Sequence, residues 1–110
     1  MKKAVVGIVR LNNLVLLGKK IPGGEFFSGE WHIPGETKKP GEIDEDAVKR
    51  GIMEEAGIEV RVLRYLAQHK TPTPTLVKWY ECEALSEDIR PDSDLEAVEW
   101  VDLSEVRTRC

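Results

Sequence analysis

The sequence predicts an α+β domain built on a mixed β-sheet. Runs rich in apolar and β-branched residues lie both before and after one long helical segment. That segment, Glu42 to Ile58, opens with a cluster of acids and is stopped by Gly57. The order is strands, a central helix, more strands and an end helix, which segregates helix from strand instead of alternating them.

Each element has a local reason. Lys3 to Leu11 and Leu14 to Lys19 are apolar, β-rich runs, and Asn12-Asn13 between them is a hairpin signal. Pro22-Gly23-Gly24 and Ser28-Gly29 mark a loop. Trp31 to Ile33 is a short apolar segment ended by Pro34-Gly35, and Glu36 to Gly41 is expected to be a polar, flexible stretch. Asp44 is the expected N-cap of the helix, with Glu45 and Asp46 in a first turn where the dipole favours acids. The helix is expected to reach Ala56, with Gly57 as the residue that turns the chain out of it. Glu59 to Lys70 reads as a strand, followed by a turn at Thr71-Pro72-Thr73-Pro74. Thr75 to Ala84 is a strand by its β-branched and aromatic content. Ser86 to Asp94 is an acidic loop, Ala97 to Val101 a last strand, and Leu103 begins a short end helix. No repeat or low-complexity segment interrupts this order.

A chain of 110 residues with 41% apolar and 33% charged residues suits one domain with a modest core, residues 1–110. The net charge of −4 comes with no basic stripe, so no nucleic-acid duplex is expected as partner. A small phosphorylated substrate, its charge met by metal, remains compatible. Two cysteines, Cys82 and Cys110, form no disulfide framework and suggest a reducing, cytoplasmic setting. Lys2-Lys3 and the apolar residues after them are too short a signal-like run, broken by Arg10, and no membrane span is expected.

The helix carries the chemistry. With about 100 degrees between successive residues, Val48, Ile52 and Ala56 make one apolar stripe with Met53 at its edge. Glu55 falls beside Val48 on the border of that stripe, and Glu54 lies further round. Ala47 and Gly51 between them project nothing bulky. Arg50, four residues before Glu54, can pair with it, whereas the residue four before Glu55 is Gly51. A carboxylate against apolar surface is costly unless a cation or donor meets it. Paired carboxylates beside the tight turn at Trp31 to Gly35 suit a hard divalent cation, and magnesium held this way usually handles phosphates.

These residues resemble the Nudix box, G-x5-E-x7-R-E-U-x-E-E-x-G-U with U hydrophobic. Glu42, Arg50, Ile52, Glu54, Glu55, Gly57 and Ile58 match it in register. Trp31 to Gly35 resembles the family's lead-in, and Glu96 to Leu103 its late strand and exit, so the likeness spans most of the chain. Two positions depart: Glu36 stands at the first glycine of the box, and Gly51 where a glutamate should follow the arginine. The resemblance implies an α/β/α sandwich with a mixed sheet, the box forming a loop and helix, and a terminal helix shorter than in many relatives. It implies magnesium, or manganese in its place, held by Glu55, Glu54 and the Gly35 carbonyl. Glu54 could instead activate water, with Arg50 orienting the glutamates and Glu42 bracing the loop. For a further ligand from the late acidic loop Asp94 is the first choice and Glu96 the second, although in so acidic a loop a merely solvated carboxylate is the favoured reading of either. If activity is low in the parent, restoring the box glutamate by Gly51→Glu is expected to raise it.

The implied activity is magnesium-dependent attack of water on a diphosphate linkage, probing first for a nucleoside triphosphate as substrate. Alternatives are an ADP-ribose-type pyrophosphatase, hinted at by Pro72 and Pro74, a Nudix-fold nucleotide-binding module that lacks turnover because of Gly51, and a scaffold using only the fold. The protein is expected as a monomer or homodimer. Lys38 and Lys39 are candidate phosphate contacts in an otherwise solvated loop. Trp79 and Tyr80 point to opposite strand faces, with core packing expected for Trp79, and His32 and His69 are expected to be structural.

Overall fold

The structure, a computed structural model, describes residues 1–20, 31–92 and 95–109. The loop expected at Pro22 to Gly29, Asp94 and Cys110 lie outside the described residues. Among the described residues seven strands form one sheet: β1 (Lys2–Leu11), β2 (Leu14–Lys20), β3 (Trp31–His32), β4 (Gly35–Thr37), β5 (Val60–Lys70), β6 (Thr75–Ala84) and β7 (Leu95–Asp102). The helices are α1 (Asp44–Ala56), a 3-10 turn (Leu103–Glu105) and α2 (Val106–Arg109).

The sheet is mixed, as expected. The two-residue turn at Asn12-Asn13 joins β1 to β2 antiparallel, with Leu11 opposite Leu14. Asn12 takes the left-handed conformation, φ 54°, which asparagine tolerates better than most residues. On its other edge β1 runs parallel to β6 over nine residue pairs, from Lys2–Thr75 to Arg10–Glu83. β6 pairs antiparallel with β5, and β2 carries β7 and β3.

Glu36 to Gly41 does not behave as the sequence suggested. Its first residues join β4, which pairs with β1 as Ala4–Thr37, Val5–Glu36 and Val6–Gly35. The strand has no apolar alternation of its own, because the exposed edge of β1 supplies its order through backbone pairing.

Alternation along β1 splits the core. Val5 and Val9 face α1, where Val48, Ile52 and Ala56 meet them at 2% exposure or less. Val15, Leu17 and Val101 pack on the opposite face with Ile8 and with Val106 of α2. Among the described residues the two faces thus carry different helices, the 13-residue α1 on one side and the single turn of α2 on the other. Ile43, not Asp44, holds the N-cap position of α1, and no side chain caps it. The Asp44 carboxylate is instead drawn to Lys38, Lys78 and the Tyr80 hydroxyl. At the other end Gly57 has φ 72° and its N–H reaches the Met53 carbonyl, as a glycine stop requires.

Candidate functional site

Arg50 organises the site. It projects from α1 towards the loop that follows β4, with only 19% of its side chain exposed. Its Nε and Nη2 donate to the two oxygens of Glu42 at 2.8 and 3.0 Å, a bidentate pair. Nη1 donates to Glu54 at 3.3 Å, and Nη2 also reaches the Thr37 carbonyl at 3.0 Å. One guanidinium therefore ties strand, loop and helix together. Glu42 closes the loop on itself: its carboxylate accepts from the Lys39 N–H, and its own N–H donates to the Lys39 carbonyl. The Arg50 hydrogen bonds, then the Lys39 N–H, bring the Glu42 pKa down to about 2. Arg50 is correspondingly raised, chiefly by its hydrogen bonds to Glu42.

The two adjacent glutamates of α1 have different surroundings. Glu54 is 43% exposed and engaged with Arg50. Glu55 is 3% exposed and lines a small cavity with Pro34, Gly35, Glu36, Gly51 and residues of β1. The 100-degree spacing of α1 anticipated this division. It did not anticipate Glu36. Opposite Val5 in register, the Glu36 side chain lies on the helix-facing side of the sheet. A Cβ built on Gly51 would stand 2.7 Å from the Glu36 Cβ and 3.3 Å from its Cγ. Gly51 is therefore a close approach between α1 and β4, and Gly51→Glu alone cannot simply add a carboxylate as the sequence suggested.

Other expectations need revision. Lys38 is paired with Asp44 at 2.6 Å, a contact the sequence did not suggest. Burial opposes the charge of Asp44, yet the Lys38 and Tyr80 hydrogen bonds leave its pKa below the ordinary value. Lys39 remains exposed beside Lys38 in an open groove of about 300 Å³ lined also by Lys2, Lys3 and Glu42. Glu96 pairs with Lys19 across the sheet at 3.3 Å, away from α1. Trp79 is not in the core: its indole N–H donates to His69 Nδ1 at 3.1 Å on the outer face of β5 and β6. The late acidic loop does approach α1, where the Asp92 N–H donates to the Glu55 carbonyl and the Arg90 N–H to that of Ala56.

The oxygen donors here, carboxylates of Glu36, Glu54 and Glu55 and the Gly35 carbonyl, are hard ligands suited to magnesium or manganese. Among the described residues no three acidic, histidine or cysteine side chains converge to cage an ion. Magnesium is commonly held by one or two carboxylates, its other positions being water and substrate phosphate, and the donor set fits a cation shared in that way.

The chain matches the NUDIX domain family over residues 1–109. It belongs to the Nudix family. A NUDIX hydrolase from Nitrosomonas europaea has the same fold with a TM-score of 0.87 at 23% identity, covering 96% of this chain and 59% of that one. An ADP-ribose pyrophosphatase from Streptococcus suis superposes with a TM-score of 0.78 at 22% identity, covering 96% and 76%. A bifunctional NMN adenylyltransferase/ADP ribose pyrophosphatase from Francisella tularensis, complexed with AMP and Mn ion, gives a TM-score of 0.79 at 19% identity, covering 99% and 36%. The Nudix chain described here thus spans 59% of the Nitrosomonas protein. Among its described residues no helix is long and apolar enough to cross a membrane.

Proposed function

We propose that this Nudix protein is a divalent-cation-dependent pyrophosphohydrolase acting on a nucleoside diphosphate-linked substrate, a nucleoside triphosphate being the first choice. One observation carries the reading. Arg50 locks β4, its loop and α1 into a single unit, and at that unit a buried glutamate, an exposed glutamate and the Gly35 turn come together. The manganese and AMP in the Francisella relative support the same class of chemistry.

When bound, magnesium or manganese would neutralise phosphate charge and lower the pKa of an attacking water. The chain's residues supply position and proton transfer. Glu55 and the Gly35 carbonyl would hold the cation, Glu55 from within the core border. Glu54, more open to solvent, serves as a second ligand or takes the proton from water. Arg50 restrains Glu54 while Glu42 anchors Arg50. Lys39, with Lys38 beside it, would meet a substrate phosphate, and Asp94 would be a ligand from the late loop. Attack at phosphorus yields a nucleoside monophosphate and pyrophosphate, or a second phosphorylated fragment.

Gly51 favours a second reading, a nucleotide-binding module without turnover. A panel of nucleoside triphosphates and ADP-ribose with magnesium or manganese separates the two. Nucleoside monophosphate with pyrophosphate is the expected product pair. Cleavage of ADP-ribose alone selects the ADP-ribose-type alternative. Nucleotide-dependent stabilisation with no product selects the binding module, and neither response leaves only a scaffold.

A further inference from the structure

The two positions at which this chain departs from the Nudix box touch each other. The box has glycine where this chain has Glu36, and glutamate where it has Gly51. In space the Glu36 Cβ and Cγ fill the volume that a side chain at position 51 would need. We propose that the two departures are one exchange: Glu36 supplies from β4 the cation-binding carboxylate that the box places on α1. The inference rests on the hydrolase reading above for the identity of the cation.

Three observations support the exchange. Steric exclusion is reciprocal, because a Cβ at position 51 requires Glu36 to move, and a glycine at position 36 removes the obstructing atoms. Placement also agrees. Glu36 lies opposite the 1% exposed Val5, so strand pairing directs a carboxylate towards the helix, where its charge needs a partner. It lines the same cavity as Glu55, which sits one helical turn beyond Gly51, so the two carboxylates approach that cavity from strand and helix. Finally, Arg50 holds Glu36 weakly. Its Nη1 is 3.9 Å from Glu36 Oε2, against 2.8 and 3.0 Å for the bidentate pair with Glu42. Glu36 Oε1 accepts the Thr37 N–H at 2.9 Å, which fixes one oxygen and leaves Oε2 as the nearer to Arg50. Such an oxygen can exchange a long ion pair for a cation without dismantling the Arg50–Glu42 lock.

The alternative is that Glu36 only adds to the charge around Arg50. Manganese titration, followed by the electron paramagnetic resonance of the free ion, separates the two roles. The proteins are the parent, Glu36→Gln, Gly51→Glu, and the double variant Glu36→Gly with Gly51→Glu. Metal-free thermal unfolding and nucleotide hydrolysis are measured on all four. Glu36→Gln should keep its unfolding midpoint and weaken manganese binding roughly tenfold or more, in the range typical of lost support at a metal site. Gly51→Glu should unfold at lower temperature, and the double variant should recover both the midpoint and parental manganese affinity. Parental affinity in Glu36→Gln overturns the proposal, and so does a double variant that binds no better than Glu36→Gln. Hydrolysis by the parent together with either of those results leaves the hydrolase reading standing. Glu36-dependent manganese binding without hydrolysis of any nucleotide does the reverse.

Discussion

Glu55 shows how much a single position can reveal. On a helix, its offset from Val48 puts a carboxylate at the rim of the apolar stripe, and its 3% exposure follows from that offset. Glu55→Gln keeps shape and removes charge, so cation-dependent turnover should fall by roughly 10²- to 10³-fold, the usual scale for losing one group that stabilises transition-state charge. The unfolding midpoint should stay within about 4 °C, less than a 1 kcal/mol change produces in a domain of this size. Wild-type turnover in a folded variant removes Glu55 from the site. Gly51 was legible only in part. The sequence showed a missing carboxylate but not the strand atom filling its place, because that atom belongs to a segment with no strand pattern of its own. Gly51→Glu alone is now expected to cost about 1–3 kcal/mol, as overpacking usually does, and a urea titration measures it. Trp79 was misread for a related reason. Alternation told that it and Tyr80 face opposite ways, but only the pairing of β5 and β6 decides which face is covered.

Elements set by their own residues were the readable ones. The acids and Gly57 bound α1, and β-branched and aromatic residues mark β6 over Thr75–Ala84. β4 exists because β1 offers it an edge, and β5 loses strict alternation at two irregularities near Val62 and Tyr65. Arg50 joins two of these elements, and only the planar guanidinium spans Glu42, Glu54 and the Thr37 carbonyl together. Arg50→Lys keeps a charge but loses the fork, so unfolding free energy should fall by about 1.5–3 kcal/mol, the worth of a charged hydrogen bond. The loss of turnover should exceed what the residual folded fraction explains. The same lock sets an acid limit. Glu42 has its pKa depressed from 4.5 to about 2, so its contribution is complete above pH 4.5 and fades as pH falls towards 2. Glu42→Gln should therefore show a shallower loss of melting temperature than the parent across that interval. Parallel curves would mean that the pair is as well solvated in the folded chain as in the unfolded one.

At the scale of the molecule, the question is how distant parts of the chain reach one end of α1. The residues of the box are close in sequence, whereas the late loop arrives after two further strands, and no local pattern shows where it docks. Backbone bonds decide it: the Arg90 and Asp92 N–H groups donate to the Ala56 and Glu55 carbonyls, bringing the loop to the last turn of α1. Glu96 is committed elsewhere, to Lys19 at 3.3 Å across β2 and β7. A cation with two carboxylates and one carbonyl still has open octahedral positions, and a carboxylate from this loop can fix a second ion to clamp both oxygens of the displacement. Asp94→Asn is therefore expected to weaken magnesium affinity or turnover by roughly 10-fold. Glu96→Gln should leave both within twofold and cost no more than about 1 kcal/mol of stability, the scale of a surface ion pair. Magnesium titrations of the two variants beside the parent decide the assignment. Unchanged affinity and turnover in Asp94→Asn would confine the cation to α1, β4 and the Gly35 turn, and a larger effect from Glu96→Gln would mean that its pairing with Lys19 opens when substrate binds.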